Sequence, residues 1–255
     1  MSRASTKFWA NLPLGTGVEL LTHDTNGLAA LAKPAVVLSH PNMQSEQARA
    51  LLVAPYTLEG EFYEWTPDCP GAMPQRLYLL NRLDSATSGV ILVSSSEALA
   101  ASIREMFKLK HVKKIYNALV FGQPSEPVQL WSDRLAVQKK GGRVRTGTGG
   151  KIPAEAHMTV LRQRRQAVPP LALIQLDPRT GRSHQLRVQC AQRQLPIVGD
   201  LTYGDFGANR TFAKATGNKR LFLHSLETRF DYEWAGRTHS FLAHAPLPKE
   251  FQEFL

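Results

Sequence analysis

Asn81-Arg82-Leu83-Asp84-Ser85-Ala86-Thr87-Ser88-Gly89, followed by Val90-Ile91-Leu92-Val93, is the stretch whose reading decides the fold. The second half is short, β-rich and apolar throughout, so it reads as a buried strand. The first half puts a cation two residues before a carboxylate, then two hydroxyls and a glycine. Such a polar turn, feeding a central strand, can hold one carboxylate at the lip of a cleft. Asp84 is therefore the first candidate for catalysis. The same residues also fit a structural ion pair between Arg82 and Asp84, with Thr87-Ser88-Gly89 as an ordinary turn. By themselves they leave both readings open.

On the N-terminal side, Leu28-Ala29-Ala30-Leu31-Ala32 reads as a strand stopped by Lys33-Pro34, since proline cannot donate to a ladder. Val36-Val37-Leu38 is expected to resume extended structure, and a helix is expected near 44–52. On the C-terminal side, Ser94-Ser95-Ser96 offers N-caps. Leu99, Ile103, Met106 and Phe107 then recur at helical spacing, predicting an amphipathic helix over 97–109. Its end carries Lys108, Lys110, His111, Lys113 and Lys114. Cations suit a helix C-terminus, and the density beyond that suggests an edge facing phosphate.

Residues 114–121 alternate as a strand, with Tyr116, Ala118 and Val120 on one face. Residues 139–151 are glycine-rich and basic, a mobile loop or hairpin tip without the residue order of a P-loop. RNA contact and plain solvation are equal readings of it. Strands are expected at 154–161, 171–176, 220–224, 227–232 and 239–243, a helix from Ser183 to about 194, a polar loop over 207–219 and a terminal helix over 248–255. Strands joined by few helices, without regular βαβ alternation, predict an α+β fold with a central mixed, largely antiparallel sheet. The expected layout is an N-terminal arm over 1–20 and a single domain over 21–255.

Lys and Arg number 31 against 21 Asp and Glu, which favours a polyanionic partner, nucleic acid ahead of membrane. The two cysteines, Cys69 and Cys190, sit in no ligand spacing, so neither a disulfide framework nor a zinc site is expected. No stretch approaches the roughly 20 apolar residues that span a bilayer. The first residues lack the apolar core of a signal peptide. The chain is expected to be soluble and cytoplasmic.

The densest polar cluster is Arg179-Thr180-Gly181-Arg182-Ser183-His184-Gln185-Leu186-Arg187. With Ser183 starting a helix, His184 and Arg187 fall three apart on one face. An arginine so fixed beside Asp84 would keep that carboxylate ionised and orient it by paired hydrogen bonds. The loop arginines and the helix start could hold a phosphate. Surface cations ahead of a helix, and a structural histidine, describe the same residues.

Together these stretches resemble the RluA family of pseudouridine synthases. Asn81-Arg82-Leu83-Asp84 with Thr87-Ser88-Gly89 is similar to its catalytic motif, and Lys114-Ile115-Tyr116-Asn117-Ala118-Leu119-Val120-Phe121-Gly122 to its KxYxAxVxG strand. Thr180 to Arg187, then Pro196-Ile197-Val198-Gly199-Asp200 with Tyr203-Gly204, resembles its third motif, and Leu221-Phe222-Leu223-His224-Ser225 its late Leu-His element. Lys33-Pro34 and His40-Pro41 fit its first strand region. The matches run in family order from about residue 24 to 245. Two positions depart: the family usually has His where Asn81 stands and Thr where Ser183 stands.

The resemblance implies the pseudouridine synthase fold with a basic cleft, and an RNA isomerase acting through Asp84 with no cofactor and no metal. It implies Arg187 as the ion-pair partner of Asp84, Tyr116 stacked on the uracil, and Leu223 as an apolar floor. Arg82 would fill the space left by a flipped nucleotide. Thr87, Lys114, Arg182 and His184 complete the expected RNA-binding set. The lead-in is short for the S4 domain that many relatives carry, so a short form is expected. The expected partner is RNA, tRNA slightly ahead of rRNA, for a monomer needing no obligatory protein partner. The alternative from another class is an RNA-binding or chaperone protein that kept the fold without the reaction.

Overall fold

Val90, Ile91, Leu92 and Val93 all have no solvent exposure, and they point alternately into two separate cores. That is why the run lacks polar alternation: a strand covered on both faces must be apolar throughout. The computed structural model describes residues 8–140 and 143–254, and of residues 139, 140, 143 and 144 only the backbone. The start of the expected arm, 1–7, and the tip of the basic segment lie outside the described residues.

The chain divides into two compact units, residues 1–112 with 227–245, and residues 113–226 with 246–255. In the first unit, Glu19–His23 (β1), Leu28–Lys33 (β2), Tyr56–Thr57 (β3), Phe62–Trp65 (β4), Gln75–Leu79 (β5) and Ser88–Ser94 (β6) precede the helix Glu97–Lys108 (α1). β6 lies between β2, with Ala30 opposite Leu92, and β5, with Leu79 opposite Val93. β4 pairs with β5 and β3 with β4, every pair antiparallel. Ser96 is the N-cap of α1: its hydroxyl accepts from the Leu99 amide. Leu99, Ala100 and Ile103 face the core on the Val90 and Leu92 side. Trp9, near the start of the described chain, is buried in the other core.

The second unit contains Lys113–Phe121 (β7), Val128–Lys140 (β8), Arg143–Thr148 (β9), Ile152–Arg164 (β10), Leu171–Pro178 (β11) and the helices Gln185–Gln192 (α2) and Phe206–Thr216 (α3). β7 pairs with β11, β11 with β10, β10 with β8 and β8 with β9, all antiparallel. Leu223–Trp234 (β12) starts in this unit, and its residues from Glu227 onward belong to the first unit. There they pair with Arg237–His244 (β13). Lys249–Gln252 (α4) closes the chain. The fold is α+β and largely antiparallel, as the sequence predicts.

The structure departs from that reading at four places. Residues 207–219 are mainly helix, not loop. Asp205 caps α3 by accepting from the Ala208 amide, and Gly217 ends it at φ 73, a left-handed backbone that glycine adopts without steric cost. Phe212 buries the helix against Phe121 and Phe222. Residues 44–49 form a 3-10 turn rather than a helix to 52. Val36 takes φ 68, so the chain turns there instead of resuming a strand, and only Leu38 makes a bridge, to Ala50. The basic segment after 139 is no departure: of its two readings, loop or hairpin tip, it takes the second, in the β8–β9 hairpin. The helix start at Ser183 is the fourth and belongs to the site.

Candidate active site

The Asp84 turn is held through its main chain. Ser39 clamps Leu83, accepting from its amide at 3.0 Å and donating to its carbonyl at 2.8 Å. Ser39 is itself fixed by the Tyr63 hydroxyl, which donates to its carbonyl at 2.7 Å. The Asn81 amide oxygen accepts from Leu92 at 2.8 Å, tying the turn to β6. The Thr87 amide closes the turn onto the Asp84 carbonyl at 3.0 Å.

Lys33, 1% exposed, adds a buried charge. Its ammonium donates to the carbonyls of Pro34 at 2.9 Å, Val37 at 2.7 Å and Ser85 at 3.1 Å. Carbonyl dipoles converging on a buried cation offset part of its lost hydration. Its role explains why Lys33 closes β2: it fastens the residue after Asp84. Asp84 itself is half-buried, Thr87 is buried and Arg82 is exposed. Arg82 reaches the His40 ring, Nη1 to Nε2 at 3.5 Å, and His40 stacks on Tyr56 with centroids 4.8 Å apart. Burial, with Glu61 nearby, pushes the Tyr56 phenol up to about 12, so it stays neutral at ordinary pH.

In the second unit Ser183 does not cap the helix. α2 begins at Gln185, and the capping position is His184 in the left-handed region, φ 54 and ψ 15, with no cap bond from its side chain. The reason lies in the Gln185 side chain. Its oxygen accepts from the Thr180 hydroxyl at 2.7 Å and the Arg182 amide at 3.1 Å. Its nitrogen donates to the Glu155 carbonyl at 3.1 Å and to Gln189 at 3.1 Å. This folds residues 180–184 back over β10. His184 therefore does not share a helical face with Arg187, as the expected start at Ser183 required. Its Nδ1 lies 2.8 Å from the Tyr203 hydroxyl.

Arg187 projects from the first turn of α2 and is 8% exposed. Its guanidinium forms a two-point pair with Asp200, Nε to Oδ2 at 2.7 Å and Nη2 to Oδ1 at 2.8 Å. Burial pushes the Asp200 carboxyl up. The Arg187 hydrogen bonds and charge, with the amides of Tyr203 and Thr202, outweigh burial and hold it below the usual carboxylate range.

Lys114 and Tyr116 project from β7, both half-buried. A methyl added at Gly181 would come within 3.4 Å of the Lys114 ammonium, so the turn passes directly over that lysine. Burial lowers the Lys114 ammonium from its ordinary value, with Asp177 opposing. Leu223 is buried at the start of β12. Arg182 is exposed and donates to the Pro153 carbonyl at 3.4 Å. Pro153 pairs with Arg134, which donates to the Lys151 carbonyl at 3.4 Å. Arg134, Lys151 and Arg182 thus form an exposed basic cluster.

Asp84, Arg82 and Thr87 lie in the first unit; Lys114, Tyr116, Arg182, His184, Arg187 and Leu223 lie in the second. Sequence reasoning gave no role to Lys33, Ser39, Gln185, Asp200 or Tyr203. Asp200 and Tyr203 were visible only as members of the stretch that resembles the third motif, and Asp200 also as a lone acid in an apolar run directly after Gly199. Among the described residues no group of three or more His, Cys, Asp or Glu side chains is arranged to hold a metal. No helix of the described residues is long and apolar enough to cross a membrane.

Residues 27–192 match the family model described as RNA pseudouridylate synthase. The chain is 30% identical over 211 residues to tRNA pseudouridine synthase C of Vibrio cholerae, covering 80% of this chain and 81% of that protein. It is 36% identical over 165 residues to ribosomal large subunit pseudouridine synthase C of Vibrio parahaemolyticus, covering 62% of this chain. The match spans only 50% of that ribosomal relative's length. Among solved structures, human RNA pseudouridylate synthase domain containing 1 superposes with a TM-score of 0.66 at 23% identity, over 92% of this chain and 86% of that one. That likeness bears on the fold alone.

Proposed function

The chain belongs to the RNA pseudouridylate synthase family, and from that we propose that it isomerises uridine to pseudouridine in structured RNA. The reaction breaks the bond between N1 and C1′, turns the uracil and rejoins it through C5. It adds and removes no atom. What the protein must supply is an ionised, positioned carboxylate, a surface for the turning base and a grip on RNA. The carrying observation is the Asp84 turn: its main chain is pinned by Ser39, Asn81 and Lys33, and Asp84 is half-buried rather than lost in the core.

In this reading Asp84 acts on the ribose, by attack at C1′ or removal of the C2′ proton. Arg187 keeps it charged, Tyr116 stacks on the uracil and Leu223 supports the base from below. Arg82 occupies the gap left by the flipped nucleotide, an extrusion costing a few kcal/mol. Lys114, Arg134, Lys151 and Arg182 meet phosphates, a grip that is salt-dependent and largely blind to sequence. Thr87 and His184 shape the two turns.

We propose that both units together form one catalytic domain; the family match, running through residue 112 into the second unit, supports this. We place tRNA ahead of ribosomal RNA as substrate, because the tRNA-modifying relative is matched over the larger share of its length. The enzyme acts as a monomer in the cytoplasm without an obligatory protein partner. Carbodiimide mapping of total cellular RNA, with and without the gene, tests the reading. One or a few sites should vanish, return with wild type and stay absent with Asp84→Asn. Purified protein should restore them in vitro on tRNA. No lost site, with purified protein inactive on tRNA and rRNA, would leave a non-catalytic RNA-binding protein.

A further inference from the structure

Arg187 is gripped on two sides, both within the second unit. Asp200 is 1% exposed and accepts from the guanidinium at two points, Nε and Nη2, one on each carboxylate oxygen. Its own orientation is fixed: Oδ1 also accepts from the amides of Thr202 at 2.8 Å and Tyr203 at 3.0 Å. The backbone beneath is fixed as well. Asn209 accepts from the Gly199 amide at 2.7 Å and donates to the Asp200 carbonyl at 3.0 Å. Gly199 has φ 76, and a Cβ there would collide with the Arg220 carbonyl, so the chain reaches Asp200 along one route only.

On the second side the Tyr203 ring lies under the guanidinium, 5.2 Å from its carbon. The Tyr203 hydroxyl is anchored in turn, accepting from the Thr146 amide at 2.9 Å and meeting His184 Nδ1 at 2.8 Å. Two bonds to one carboxylate and a ring against one face fix the plane of the guanidinium. The directions of its other N–H groups are then set by Asp200.

We propose that Asp200 is a positioning residue for the isomerisation: it aims the remaining donors of Arg187 at the reacting centre, with Tyr203 fixing the plane. This rests on the isomerase reading above. A structural ion pair would need only charge; a positioning pair needs the carboxylate at one distance and angle. Asp200→Glu keeps the charge and moves the carboxylate by one methylene, whereas Asp200→Asn keeps the shape and removes the charge.

The test is steady-state pseudouridine formation on the RNA found by mapping, with KM and kcat separated, corrected for the folded fraction from thermal melts. The expected order of kcat is wild type, then Asp200→Glu, then Asp200→Asn. The last should fall about 100-fold, the scale of a misplaced catalytic group, with KM within about threefold of wild type. Inactivity of the wild type on every RNA would sink the isomerase reading itself. With wild type active, kcat per folded molecule unchanged in both variants would overturn the positioning role, leaving a stability role. A loss seen in KM alone would overturn it too, making Asp200 a docking residue. Should Asp200→Asn not fold, Asp200→Glu decides: kcat down more than threefold at constant KM supports the role, and kcat within threefold of wild type refutes it.

Discussion

Around Asp84, neighbouring side chains bond to main chain: Ser39 to Leu83, Asn81 to Leu92, Lys33 to Ser85. Around Arg187 the candidate side chain is itself held, by Asp200 and over Tyr203. The first arrangement fixes where the residue sits by holding the main chain on either side of it. The second fixes the side chain and makes it part of the core. Substituting Asp84 should therefore leave the main-chain bonds of its turn in place, whereas substituting Arg187 should damage function and stability together.

The sharpest contrast is between Asp84→Asn and Arg187→Ala. Removing Arg187 should leave the Asp200 charge buried without its cation, costing about 3–5 kcal/mol of folding stability, and should cripple turnover. Asp84→Asn should abolish turnover at a much smaller stability cost, with RNA affinity retained. Urea denaturation checks both; equal stability losses would break the comparison. Next in size is Lys33→Met, which strands buried carbonyls at about 1–3 kcal/mol for a group left unsatisfied, and loosens the Asp84 turn. Lower stability with unchanged turnover per folded molecule would show that Lys33 supports the fold and not the turn.

The acid response sharpens the second region. The Asp200 carboxyl is held below its ordinary value, so its contribution is complete above the unfolded value of about 3.9 and drains away as pH falls through the lower folded one. Unfolding free energy measured from pH 6 down to pH 2 should fall, and less steeply in Asp200→Asn. Parallel curves would mean that Asp200 does not titrate with folding. Smallest in stability is the exposed basic cluster. Arg134→Ala with Arg182→Ala should change stability by no more than about 0.5 kcal/mol. The pair should weaken RNA binding and flatten its salt dependence by roughly 0.7–0.9 per lost phosphate contact. An unchanged salt slope would place the phosphate path elsewhere.

Periodicity and composition determined what depends on neighbours along the chain. The apolar run from Val90 to Val93 had to be a doubly covered strand, the spacing of Leu99 and Ile103 had to be a helix, and the alternation around Tyr116 had to be a strand. α3 was also within reach, since Asp205 and Gly217 are ordinary start and stop signals. Its sparse apolar positions hid it, because Phe212 gains its burial from Phe121 and Phe222, far away in sequence. Asp84 could be singled out because its turn is local. What only the tertiary structure decided is how both regions are held. Lys33 reaches Ser85 across 52 positions, and Thr146 reaches Tyr203 across 57. Gln185 folding back on Thr180 moved the helix start to a left-handed His184. Arg187 found Asp200 through a backbone route that Gly199 and Asn209 fix in space. Hydrogen bonds and ion pairs act over about 3 Å, and which distant groups come that close is set by the packing of the whole unit rather than by local order along the chain.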